Sequence, residues 1–128
     1  MARVLLLQFD TDPHCESRRR LLTDAGQQLS EAEPRWPTFF DAVRRERPDL
    51  IVIAASRIPS HAFEAARYLG DGFNTRNIPV LLVDVAAGDA VRAQSSAPRA
   101  RIVERANLSD AVQQSLEPTV PESARLRS

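Results

Sequence analysis

The side chains able to do chemistry stand at the ends of apolar runs. Asp10 and Thr11 follow RVLLLQF, Asp84 follows IPVLLV, and Arg105 follows RIVE. A further run, PDLIVIAAS, ends on Ala54 and Ala55, and its first hydroxyl is Ser56, which reads as the start of a turn or a cap. Arginine forms charge-assisted pairs with carboxylates readily. If the fold gathers these ends, Asp10, Asp84 and Arg105 are expected to form a self-compensated cluster. Cys15 lies near a predicted helix start, where a thiol can become more acidic. With no base placed beside it, Cys15 reads as a quiet thiol, and His14 reads as exposed in the same first turn.

The elements that must position these residues alternate along the chain. Residues 3–9 are a continuous apolar run, the pattern of a strand buried on both faces, here β1. DTDP then turns the chain, with Asp12 as a candidate N-cap and Pro13 suited to the first turn of a helix. This helix, α1, is expected to reach residue 25 and stop at Gly26, with Leu21, Leu22 and Ala25 facing the core. Its Arg18-Arg19-Arg20 reads as a solvated face, because three successive helical positions point in different directions.

Residues 27–32 read as a polar edge strand, β2. Trp36-Pro37-Thr38 opens α2, where Phe39, Phe40 and Val43 form a core-facing stripe that ends before Pro48. PDLIVIAAS supplies β3. Residues 60–69 supply α3, with Phe63, Ala66 and Leu69 buried and Gly70 closing it. Residues 78–83 form β4, with Pro79 at its entrance. A short, mobile α4 is expected within AAGDAVRAQSSAPRA, followed by β5 at 101–103 and α5 at 107–116, with an Asn107 N-cap. Residues 1–117 are thus expected to form one domain, and the polar, proline-bearing remainder, 118–128, reads as a disordered tail.

Five strands alternating with five helices imply an α/β fold, with a parallel sheet covered on both faces through right-handed crossovers. A chain of this size suits the flavodoxin-like, doubly wound order 2-1-3-4-5. That order places Asp10, Thr11, Ala54, Asp84 and Arg105 at one end of the sheet.

Composition excludes several functions. The 128 residues carry 17 basic and 17 acidic side chains, a net charge of zero that offers no global attraction to nucleic acid or anionic membrane. Every basic residue is arginine, so lysine chemistry such as Schiff-base formation is absent. One cysteine excludes an intramolecular disulfide framework and a thiolate-rich zinc site, and it suits a reducing, cytoplasmic setting. No Walker loop or HExxH occurs, and DTDPHCES places acids where a flavin phosphate loop needs hydroxyls and glycines.

From about Arg3 to Leu116, FDTDP, PDLIVIA, IPVLLVD and RIVERA together resemble the receiver domain of two-component response regulators. The resemblance implies an acidic pair after β1, a phosphate-accepting aspartate ending β3, a Ser or Thr after β4, and a lysine before a cis-proline after β5. On this chain Asp10 keeps the first acidic position and Thr11 takes the second. Ala54 stands at the acceptor, Asp84 at the hydroxyl, Arg105 at the lysine and Ala106 at the proline. The expectation is a degenerate pseudo-receiver, without catalysis, cofactor or bound metal.

A stand-alone receiver implies a protein partner, either another protein or a second copy, on the α4-β5-α5 face, with Val91, Arg92, Arg101 and Val103 as candidate contacts. The alternative is a small-molecule site in the same crevice using Asp10, Asp84, Arg57 and Arg105. One form of it is suggested by Asp12 and His14, which partly match the DxHxxG box of cobalamin-binding domains. Ser17 replaces the glycine of that box.

Overall fold

The computed structural model describes residues 2–24, 26–56 and 58–116. The tail expected at 118–128, together with Ala25 and Arg57, lies outside them. The strands are β1 (Arg3–Leu7), β2 (Gln28–Ala32), β3 (Leu50–Ala54), β4 (Val80–Val83) and β5 (Arg101–Val103). The helices are α1 (Cys15–Asp24), α2 (Thr38–Glu46), α3 (Pro59–Asp71), α4 (Ala90–Ser96) and α5 (Leu108–Leu116). All strand pairs are parallel, and the sheet runs β2-β1-β3-β4-β5, the expected order.

Central strands read as unbroken apolar runs because successive side chains enter two different cores. Leu5, Leu7, Ile51, Ile53 and Leu82 pack with α2, α3 and α4 on one face. Val4, Leu6, Val52, Ala54, Leu81 and Val83 pack with α1 and α5 on the other. β2 is half-covered at the sheet edge, as its polar composition requires.

Several boundaries differ from expectation: β1 closes at Leu7 and β2 opens at Gln28, while α5 starts at Leu108 because Asn107 belongs to a short 3-10 turn, Arg105–Asn107, rather than capping the helix. Three others have clear local reasons. α1 starts at Cys15, since the backbone of Asp12 turns on Phe9 and that of Cys15 on Asp12 before the helix begins. Its buried residues are Cys15, Arg18 and Leu22, while Leu21 is half-buried. α3 continues through Gly70 to Asp71 and is capped at Gly72, beyond which the Thr75 hydroxyl donates to the Leu69 carbonyl at 2.6 Å. A Cβ at position 72 would collide with that hydroxyl, so a larger residue would push Thr75 off the Leu69 carbonyl. β4 begins after Pro79, whose carbonyl still accepts from the Ile51 N–H at 3.0 Å.

Register decides what meets at the strand tips. Leu7 pairs with Ile53 and Ala54 with Val83. The next residues, Gln8, Ala55 and Asp84, emerge at one edge of the sheet. No described helix is long and apolar enough to cross a membrane.

Candidate functional site at the strand tips

The crevice above these strands is filled by an arginine from α1. Arg18 follows Cys15 by three residues and precedes Leu22 by four, so it shares their inward face, and its side chain is 0% exposed. Its Nε donates to Asp84 Oδ2 at 2.8 Å and its Nη1 to Gln8 Oε1 at 3.1 Å. Nη2 lies 3.1 Å from Asp12 Oδ2 and also donates to Ser56 Oγ, while the Ser56 hydroxyl donates to the same Asp12 oxygen. Asp12 Oδ1 accepts the His14 backbone N–H at 2.9 Å, closing a turn ahead of the helix rather than capping it, since α1 starts only at Cys15. Gln8 Nε2 donates onward to Glu31 Oε1 at 2.8 Å.

Two cations and two anions balance here. Arg105 Nε lies 3.6 Å from Asp84 Oδ1, while Arg18 bonds the other oxygen, Oδ2. Asp84 holds this position with a left-handed backbone, φ 60°, which Asp and Asn tolerate better than most residues. Among the described residues, no buried side-chain nitrogen or oxygen lacks a hydrogen-bond partner. Burial pushes the Asp12 carboxyl up, but hydrogen bonds from Ser56 and the His14 N–H and the charge of Arg18 outweigh it. They hold Asp12 below the ordinary carboxylate value.

The expected cluster is therefore half correct. Arg105 does pair with Asp84, but Asp10 joins neither: its side chain is 88% exposed and lies 3.7 Å from Arg19. The turn that bonds the Asp12 N–H to the Phe9 carbonyl at 3.0 Å carries Asp10 and Thr11 outward and returns Asp12 inward. Ala54 is buried at the β3 tip, where its methyl group packs against the α1–α5 core. Reading Arg18 as solvated is corrected outright. The available signal was its place in the 15-18-22 inward stripe, masked by the two arginines that follow it.

The remaining candidates sort by exposure. Val91, Arg92 and Arg101 are at the surface, with Arg92 over the Phe63 ring at 5.3 Å and Arg101 donating to Gln114 Oε1 at 3.1 Å. Val103 is buried in the α1–α5 core, because β5 alternates faces and position 103 points inward. It offers no partner surface. Cys15 is buried too: its thiol donates to the Phe9 carbonyl at 2.8 Å, and burial pushes its pKa up. His14 is exposed, and Arg57 lies outside the described residues.

No protein-family model matches the chain, and no curated protein matches it. Solved structures do. The signal receiver domain of a signal transduction histidine kinase from Syntrophus aciditrophicus superposes with TM-score 0.74 at 18% identity, covering 94% of this chain and 96% of that one. The receiver domain of a DNA binding response regulator from Colwellia psychrerythraea 34H gives 0.72 at 13% identity, covering 92% and 100%. The receiver domain of a sensor histidine kinase from Pseudomonas aeruginosa PAO1, with a magnesium ion coordinated in its active site cleft, gives 0.70 at 19%, covering 91% and 98%.

The cleft of the present chain does not fit that ion. Mg²⁺ demands near-octahedral oxygen ligands, whereas both inward carboxylates here are bonded to guanidinium groups. Among the described residues no group of three or more His, Cys, Asp or Glu could hold a metal. With five parallel strands ordered β2-β1-β3-β4-β5, the chain has the fold of these receiver domains.

Proposed function

We propose that the chain is a two-component-type signalling module that acts by binding a protein partner and accepts no phosphoryl group. One observation carries this reading: the Arg18 guanidinium, fully buried, bonds both carboxylates of the crevice where receivers handle phosphate. A fixed internal cation takes the electrostatic place of a metal ion and leaves no free carboxylate to act as acceptor. Ala54 ends β3 and Ala55 follows it, so the reading holds whichever of them stands at the acceptor position. Asp12 is shielded by three donors, and the Ser56 hydroxyl is spent on Asp12.

The exposed Val91, Arg92 and Arg101 support a protein contact on the α4-β5-α5 side. The lone buried cysteine suits a cytoplasmic setting. A small anionic ligand or cobalamin-like cofactor in the crevice is disfavoured, since its charged groups already satisfy one another. The test is incubation with acetyl phosphate and Mg²⁺ followed by intact-mass measurement. The mass is expected to stay unchanged; a stable phosphoryl adduct would overturn the reading.

A further inference from the structure

Away from the strand tips, a groove of about 370 Å³ opens between the entry to α2 and the outer face of α3. Trp36, Tyr68 and His61 form its walls, Phe39 and Pro34 lie beneath, and Glu64 stands beside it. A second hollow of about 360 Å³ adjoins it, sharing Tyr68 and Glu64 and adding Asp71 with Arg67, which pair at 3.9 Å. Tyr68 is thus a ridge between two hollows, and Glu64 borders both.

The ridge is built in advance. Trp36 and Tyr68 are 56% and 44% exposed, yet their ring centroids lie 4.8 Å apart, and Phe40 braces them at 5.1 and 5.7 Å. Rings held by one another lose little freedom when something docks on them. Glu64 has no ion pair among the described residues, so its carboxylate is available.

Paired hollows on either side of an aromatic ridge suit a polyproline II segment. Three residues per turn place prolines i and i+3 on one face of a helix that needs no ordering, and an adjacent acid selects a basic flank. The chain itself carries such a sequence: Pro118-Thr119-Val120-Pro121, then Arg125 and Arg127. We propose that this groove binds the 118–127 segment of a second copy of the chain, prolines on the aromatic ridge and arginines toward Glu64.

The same copy cannot supply it. α5 ends at Leu116 on the face shared with α1, whereas α2 and α3 cover the opposite face. Pro121 is the fifth residue past Leu116, a span of at most about 18 Å. Passing from one helix layer across the sheet to the other takes about 20 Å before any detour around the sheet edge. The proposal does not depend on whether the strand tips accept phosphate.

Trp36 is the single tryptophan and a ready probe. A synthetic peptide of residues 116–128, titrated into the full chain, is expected to change its fluorescence saturably. Replacing Pro118 and Pro121 in the peptide by Ala should weaken binding at least about tenfold, as loss of two buried apolar contacts implies. Tyr68→Ala in the protein, at a half-exposed site that the fold tolerates, should do the same and abolish concentration-dependent self-association in sedimentation.

Three results would overturn the proposal. One is no saturable change up to about 1 mM peptide, a Kd no specific contact should exceed. Another is equal binding by an unrelated proline-rich peptide without arginine, which would assign the groove to a different partner. The third is self-association unaltered by Tyr68→Ala.

Discussion

At the strand tips Arg18, the most polar kind of side chain, is 0% exposed; on the opposite helix layer Trp36, the largest apolar one, is 56% exposed. Both reverse the usual allocation, and the reasons differ. Arg18 is buried because Asp84, Asp12, Gln8 and Ser56 converge from three strand ends and a loop to meet its planar fork. Burying a charge is tolerable only with such partners. Trp36 stays out because Phe39 already fills the space beneath it, and its ring can only lean on Tyr68 and Phe40. Burial thus follows from what the fold supplies around a side chain, more than from the side chain's own polarity.

The sharpest way to break this comparison is Arg18→Met. Removing the cation leaves two carboxylates buried without it, a loss of about 3–5 kcal/mol, to be read from urea unfolding. Arg20→Ala, two positions on in the same helix, should stay within about 0.5 kcal/mol, because Arg20 is 75% exposed and, among the described residues, its one ion pair is with Glu16. Equal effects from the two would mean the crevice is not held by its arginine.

A smaller loss is expected at Asp84. Asp84→Ala removes the acceptor of two guanidinium groups and places a less tolerant residue at φ 60°, for about 1–3 kcal/mol. Asp84→Asn keeps the backbone tolerance and should recover part of it. If both variants unfold at the same urea concentration, the backbone contributes nothing and the charge everything.

Acid tests the other carboxylate. Asp12 titrates below its ordinary value, so as pH falls the unfolded chain takes up the proton first. Its contribution to stability is therefore whole above the ordinary value of 3.8 and fades as pH drops through the lower folded value. Asp12→Asn should be less stable at neutral pH and show a flatter decline below pH 3.8; an identical acid profile would remove Asp12 from the cluster. The smallest effects belong to the exposed rings. Trp36→Ala and Tyr68→Ala should each cost about 1 kcal/mol or less by thermal unfolding, and a larger loss at either would make the groove part of the core.

The sheet was almost fully readable. β5 matches its expected bounds at Arg101–Val103, and the order of all five strands follows from the alternation of apolar runs and helical stripes. The strand-tip site was legible only in part. Asp84 and Arg105 follow directly from strand ends, but Gln8 is hidden inside the run RVLLLQF that reads as apolar, and Arg18 is one of three adjacent arginines. Asp10 and Asp12 flank a single threonine, and nothing local says which of them turns inward.

The sequence by itself determined the architecture, since buried strands and amphipathic helices are selected by apolar patterning within a few residues. It also determined that the β3 tip carries only methyl groups. The tertiary structure alone decided which charges meet there. Arg18 to Asp84 is a contact across 66 positions, and Ser56 to Asp12 one across 44. Such contacts depend on the register of parallel strands and the path of one loop, where a single turn exchanges an inward carboxylate for an outward one.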